Sequence, residues 1–362
     1  MRGSTIIAMR ILVHEFVSGG GLAGRAVTPS LAREGAAMLA ALVADLAAIR
    51  HHQIITTADA RFPLAAPPGV EVVTLLADRI DGQLDALIAS ADAVWLVAPE
   101  IDGCLEHLAA RAERMGAIIL GPGASAIRRA SDKAALPRRL AHHRVSHPAT
   151  GVLRADADSK SVAEAIGYPL VVKPARGAGC AGVCLVRNAR DLNRAIDANR
   201  CHAARGSLLV QQYVPGTAAS VSLLADGRRA VALTTNRQSV RTSFTFSYCG
   251  GSTPLEHPLA ERAVDAALRT CRALPGLRGY IGVDLVLTES DAVVIEINPR
   301  LTTAYLGARM AIDGNIAALA LAACSGSLPS PPAPWRSVRF DAAGRILCDR
   351  PTTNDQRPMT ND

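Results

Sequence analysis

Two rhythms of apolar and polar positions divide this chain. Up to residue 122, short apolar runs alternate with longer stretches whose apolar residues recur at helical spacing. The runs 9–16, 53–57, 70–75, 93–97 and 117–120 read as strands, and 30–49, 84–90 and 104–114 as helices, the first with Ser30 as N-cap. Strands alternating with helices predict a mostly parallel sheet covered on both faces, so residues 9–122 read as an α/β, doubly wound lobe. Past residue 168 strands dominate: 170–172, 207–214, 219–224, 230–235 and two arms within 281–300, with helices at 191–199, 258–271 and 315–324. The polar stretch 239–254 reads as a long loop, 329–334 as a proline-rich spacer, 338–347 as a hairpin, and the chain from Pro351 as a polar, disordered tail.

The arms of 281–300, IGVDLVLTESDAVVIEINPR, flank a polar turn. With that turn centred on Ser290, Asp284 lies across from Glu296. Alternation then puts Val283, Leu285, Val293, Ile295 and Ile297 on one face and Asp284, Glu296 and Asn298 on the other. Carboxylates opposed across strands repel. A divalent cation relieves this, and three oxygen-bearing side chains suit Mg²⁺ or Mn²⁺, with substrate phosphates as further ligands. Arg300 follows where its guanidinium fork can hold a phosphate. The plain alternative is a solvated hairpin face, and a phosphate-binding apparatus upstream decides between the two.

Residues 168–186, YPLVVKPARGAGCAGVCLV, supply one. An apolar strand runs into Lys173-Pro174 and a small-residue loop, 175–182, follows. Gly177, Gly179 and Gly182 let backbone N–H groups approach an anion closely. No G-K-[ST] opens a helix, so this is a flap and not a P-loop. Lys133, Lys160 and Lys173 are the only lysines in the chain. Where arginine serves, this sequence uses it. Lys133, on a helix capped by Ser131-Asp132, and Lys173 therefore read as sites needing a compact ammonium. The strand 207–214 offers its backbone and Gln211 to an adenine edge. The loop 239–254, with Tyr248, Gly250 and Gly251, reads as the acceptor pocket. The glycine turn 18–21, with Glu15 and Glu34 nearby, can hold a substrate amine, although Glu34 reads equally well as a solvated helix residue. That turn lacks G-x-G-x-x-G spacing and no acid ends the next strand, which argues against a dinucleotide site.

Composition narrows the picture. The net charge is +7, carried by arginine, with no basic run interleaved with aromatics, so nucleic acid is not the expected partner. Eight cysteines without CxxC or zinc spacing read as buried thiols of a reducing compartment, the cytoplasm. No run reaches the ~18 apolar residues that span a bilayer. The leader 1–8 is too short in apolar residues for a signal peptide, and Met9 reads as an alternative start.

In order, Ser131-x-Lys133, Val172-Lys173-Pro174 with its glycine flap, Gln211-Gln-Tyr-Val-Pro-Gly216, Asp284 and Glu296-Ile-Asn298-Pro-Arg300 resemble the ATP-grasp ligases over residues 125–325. The resemblance implies an ATP-grasp fold with an N-terminal doubly wound parallel-sheet lobe at 9–122 and a small lid or flap lobe at 123–208. A C-terminal, mainly antiparallel α+β lobe with the metal hairpin follows at 209–330, then a tail at 331–362. It implies ATP and two Mg²⁺ or Mn²⁺ ions. Lys133, Lys173, Gly177 and Gly179 would meet the phosphates, Gln211, Gln212 and Val214 would line the adenine pocket, Asp284, Glu296 and Asn298 would hold metal, and Arg300 and Lys173 would be catalytic. Gln211 stands where relatives often carry Glu, and no acid follows Gly216, so the ribose contacts stay unassigned.

The stretches HEFVSGGGLAG, SLAREGAAML and NRQ with YCGGSTP are similar to the subgroup containing the tyramine–glutamate ligase of methanofuran biosynthesis. That similarity implies glutamate joined to tyramine or tyrosine through an acyl phosphate. The implied partners are small amino acids and amines, with no nucleic acid, no membrane, and a homodimer left open. The competing readings are a biotin-dependent carboxylase subunit, a non-catalytic nucleotide-binding or NAD-dependent protein, and another amino-acid ligase of the same fold. The first belongs with a longer C-terminal domain, and the second has no need of paired acids.

Overall fold

Short strands whose residues are apolar on both faces must be covered on both sides, and this sheet is. A computed structural model describes residues 8–154, 158–177, 179–200 and 207–351. The leader through residue 7, the tail beyond Pro351 and position 178 of the flap lie outside the described residues. Strands β1 (Arg10–Glu15), β2 (Gln53–Ala58), β3 (Glu71–Thr74), β4 (Ala93–Val97) and β5 (Ile118–Ile119) form a parallel sheet in the order β3-β2-β1-β4-β5. Leu12, Ile55 and Val94 pack beneath helices α2 (Ile80–Ser90) and α3 (Cys104–Arg114). Ile11, Val13, Ile54 and Trp95 pack beneath α1 (Pro29–Ala48). The N-cap of α1 is Thr28, with Pro29 at the first helical position, so Ser30 lies inside the helix.

Beyond this lobe, α4 (Ala124–Ser131) and α5 (Leu136–His142) lead to the lid, an antiparallel sheet of β6 (Thr150–Leu153), β7 (Leu170–Pro174), β8 (Cys184–Val186) and β9 (Leu208–Gln212) in the order β6-β9-β7-β8. Helices α6 (Ser159–Ile166) and α7 (Ala189–Ala198) belong to the lid and begin on side-chain caps, Asp158 and Asn188. The third sheet is fully antiparallel. It holds β10 (Thr217–Asp226), β11 (Ala230–Thr242), β12 (Phe246–Thr253), β13 (Arg278–Leu287), β14 (Ala292–Asn298), β15 (Arg336–Asp341) and β16 (Ile346–Pro351), in the order β14-β13-β10-β11-β12-β15-β16. Helix α8 (Ala260–Ala273) covers one face, and α9 (Ala304–Ala311) and α10 (Ile316–Cys324) the other.

Four expectations change. Ala130, Leu136 and Leu140 are buried in the core of the seven-stranded sheet, so 123–142 is not part of the lid. Strand β9 is interior to the lid sheet, so the lid extends through Gln212 and not to 208. Residues 336–351 are two strands of the central sheet and not a separate tail. The stretch 239–254 is mostly strand, because serine, threonine and glycine on β11 and β12 conceal the alternation. Its hairpin reaches the lid: Leu185 N donates to the Phe244 carbonyl at 2.8 Å, and the Arg194 guanidinium stacks 3.9 Å above the Phe244 ring.

The first and third sheets share one core. Leu42 and Leu46 of α1 pack with Tyr305, Ala308, Ile316 and Ala320 of α9 and α10. Asp45 anchors the contact, accepting from Tyr305 Oη at 2.5 Å and from Arg309 Nε at 2.9 Å.

His14 on β1 gives this core a pH limit. Its ring is fully buried, Nδ1 pairs with Thr57 Oγ1 at 2.7 Å, and Nε2 has no partner among the described residues. Burial, then the charge of Arg111, lowers its pKa to about 4 from 6.5. Below pH 6.5 the unfolded chain binds a proton that the folded chain refuses, so stability falls as pH drops toward 4, by about 3 kcal/mol in all. Urea titrations should show that loss in the wild type and much less of it in His14→Asn.

Candidate active site

The hairpin of β13 and β14 turns through four residues, and Thr288 closes it. Thr288 N donates to the Asp291 carbonyl at 2.9 Å, and Thr288 Oγ1 accepts from Asp291 N at 3.0 Å. Leu287 faces Ala292 and Leu285 faces Val294, which by simple continuation would put Asp284 opposite Ile295. A bulge between Asp284 and Leu285 shifts the register, and Asp284 faces Glu296 as the alternation predicted. The face assignment near the turn changes accordingly: Ala292 and Val294 are buried, while Val293 and Ile295 are half-exposed. The extra residue, on β14, reverses which of that strand's side chains face the core on the turn side of the bulge, while Leu285 on β13 stays buried as expected.

Asp284 accepts from Gln238 Nε2 at 2.9 Å and from Asn298 Nδ2 at 3.0 Å. Glu296 is paired with Lys133 Nζ at 2.8 Å. Burial, then the charge of Glu296, raises the Asp284 pKa above the ordinary carboxylate range. Burial alone would raise Glu296 as well, but the ammonium groups of Lys133 and Lys173 outweigh it and hold Glu296 below that range. Lys133 also donates to the Gly177 carbonyl at 2.8 Å, which ties the flap to the acid. It sits in the turn between α4 and α5, not on a helix, and Asp132 Oδ1 caps that turn through Ala135 N. Lys173, on β7, is 5% exposed, and burial lowers its pKa to about 8.

The donor set fits a hard divalent ion. Two opposed carboxylates and the Asn298 amide converge from adjacent strands, and all are oxygen donors. Among the described residues no group of three or more His, Cys, Asp or Glu is placed to hold a metal ion, so the donor set is two carboxylates and one amide.

A cavity of about 690 Å³ opens beside these acids, lined by Gly179 from the flap, Glu34 from α1, Tyr248 from β12, and Thr303 and Arg300 beyond β14. Thr303 Oγ1 donates to Glu34 Oε1 at 2.7 Å, and Tyr248 lies beside them on the same cavity wall. Burial, then the Glu34 charge, raises the Tyr248 pKa, so that phenol stays protonated. Arg300 donates through Nε and Nη2 to the two carboxylate oxygens of Glu100, each at 3.0 Å.

Other expected residues are placed elsewhere. Glu15 is 2% exposed and turned into its own loop, accepting from Val17 N at 3.0 Å and from Ser18 Oγ at 2.6 Å, so it cannot face a substrate amine. Gly250 and Gly251 lie inside β12 and do not line the cavity. A Cβ on either would overlap a carbonyl oxygen, of Phe340 or of Arg237. Gln211 is buried in the lid and donates to Thr150 Oγ1 at 2.9 Å. Gln212 and Val214 stand at the passage from β9 to β10, away from the cavity walls. Glu100, Gln238 and Thr303 were not found from the sequence. Glu100 had one signal, an acid three residues past the end of a wholly apolar strand.

Fold and site together define a three-sheet architecture whose lid stands over a pair of part-buried acids. Known families agree. The ATP-grasp domain pattern matches residues 130–304 and the pre ATP-grasp 3 domain pattern matches residues 52–127. A D-alanine–D-alanine ligase of Desulforudis audaxviator is 32% identical over 209 residues, covering 54% of this chain and 67% of that protein. The chain belongs to the ATP-grasp superfamily. The tyramine–L-glutamate ligase of Methanocaldococcus jannaschii is 33% identical over 101 residues, covering 28% of this chain and 32% of that protein. The chain thus spans about a third of that curated relative's length. An ATP-grasp superfamily protein from Archaeoglobus fulgidus, 23% identical, superposes with a TM-score of 0.66 over 92% of both chains, which shows the shared fold.

Proposed function

We propose that this protein is an ATP-dependent carboxylate–amine ligase that forms an amide through an acyl phosphate. The observation that carries this is the pair Asp284 and Glu296, set against Lys133 and Lys173 beneath a glycine flap and beside a cavity that Glu34, Tyr248 and Arg300 line. Asp284, Glu296 and Asn298 would hold magnesium or manganese, which neutralises charge on the nucleotide phosphates when bound. Lys133 and Lys173 supply compact positive charge to those phosphates. A substrate carboxylate oxygen attacks the γ-phosphorus, forming a C–O–P link and breaking the bond to ADP. Arg300 stabilises the transferred group. An amine nitrogen then attacks the acyl carbon, phosphate leaves, and the nitrogen gives up a proton. The flap excludes water that would hydrolyse the acyl phosphate.

Glu34, held by Thr303 with Tyr248 alongside, suits a substrate ammonium. The narrower reading joins glutamate to tyramine or tyrosine, supported by the similarity to the tyramine–L-glutamate ligase. No described helix is long and apolar enough to cross a membrane, and the expected partners are small molecules.

Phosphate release is the test, measured with ATP and Mg²⁺ across pairs of amino acids and amines. Release should require both an acid and an amine, and glutamate with tyramine or tyrosine should stimulate it most. No response to that pair ends the narrow reading, and no response to any pair ends the broad one.

A further inference from the structure

Glu100 lies where a doubly wound sheet gathers its ligands. The strand order reverses between β1 and β4, and Phe16 N donates to the Val97 carbonyl at 2.8 Å as the two strands end. Three residues later Glu100 is 6% exposed. The chain then turns sharply through Asp102 (φ 51°) and Gly103 (φ 75°) into α3, which fixes the carboxylate at this point. From there it meets Arg300, two hundred residues away in sequence, as a buried two-pronged pair.

We infer that Glu100 is a positioning residue that presents one edge of the Arg300 guanidinium to the phosphoryl group in transfer; this rests on the ligase reading above. The donor count makes the case. A guanidinium carries five N–H groups. Glu100 takes the Nε hydrogen and one on Nη2, and the Leu301 carbonyl takes one on Nη1 at 3.1 Å. One N–H remains on Nη1 and one on Nη2. Arg300 lines the cavity beside Asp284 and Glu296, so this remaining pair matches two oxygens of an anion there. Without Glu100 the long side chain would have several rotamers and no preferred edge. A strut that merely ties β4 to the end of β14 would also explain the pair, and the test separates the two.

Glu100→Gln keeps the size but cannot accept at both prongs, because its amide NH₂ would face an arginine N–H. In the presence of Mg²⁺, binding of ADP and of ADP–aluminium fluoride, which mimics the transferred phosphoryl, should be measured by calorimetry alongside turnover. The variant should keep ADP affinity within about threefold while losing about tenfold or more in affinity for the fluoride complex and about 30-fold in kcat. Glu100→Asp, one methylene short, should show the same split and serves if the Gln variant fails to fold. A wild type that binds the fluoride complex no better than ADP overturns the ligase reading itself. A wild type that discriminates, with variants that discriminate equally, overturns the positioning role alone. Equal loss of both ligands marks a strut and also overturns it.

Discussion

Glu296→Gln is expected to abolish ADP release while leaving the protein folded. The carboxylate is the shared counter-charge of the site, paired with Lys133 at 2.8 Å and held ionised by Lys133 and Lys173. A neutral isostere retains the shape but leaves those two lysines unneutralised and removes half the charge available to a divalent ion. Losing a ligand of that kind costs about a thousandfold or more in turnover. The measurements are ADP release at saturating substrates and the thermal midpoint. Turnover like that of the wild type would end the assignment of this residue to a metal.

The second large effect concerns stability. Gly250 has φ +115°, and a Cβ there would overlap the Phe340 carbonyl oxygen and press on the Asp341 backbone. β12 lies between β11 and β15, so neither neighbour can yield without breaking a ladder. Gly250→Ala should therefore destabilise the protein by about 3 kcal/mol or more, read as a lowered urea midpoint. An unchanged midpoint would return 239–254 to the status of a loop with room for an acceptor.

These two sites show what the sequence makes legible. The acid pair could be read because the turn residues mark the hairpin and the two acids stand at nearly equal distances from it. The expected pairing arose by a different route, since the turn is one residue tighter than a centre at Ser290 requires and a bulge supplies the difference. Lys133 and Lys173 stood out because arginine does the other cationic work in this chain. The strand at 93–97 and the helix at 104–114 fall where periodicity put them. Gly250 misled because glycine in a polar stretch looks the same whether it frees a loop or admits a neighbouring strand. Glu100 and Arg300 could not be paired by any local rule, because only the assembled fold brings them together. The common core beneath α1, α9 and α10 is equally non-local.

The cavity draws its walls from both ends of the sequence, with Thr28 and Glu34 on one side and Phe340, Ala342 and Ala343 on the other. On the ribosome the first of these emerges long before the last. A growing chain can therefore complete its first sheet and its lid, yet the pocket stays open until the final strands dock. A chain released before residue 336 would lack that wall, so the pocket closes only once β15 has docked.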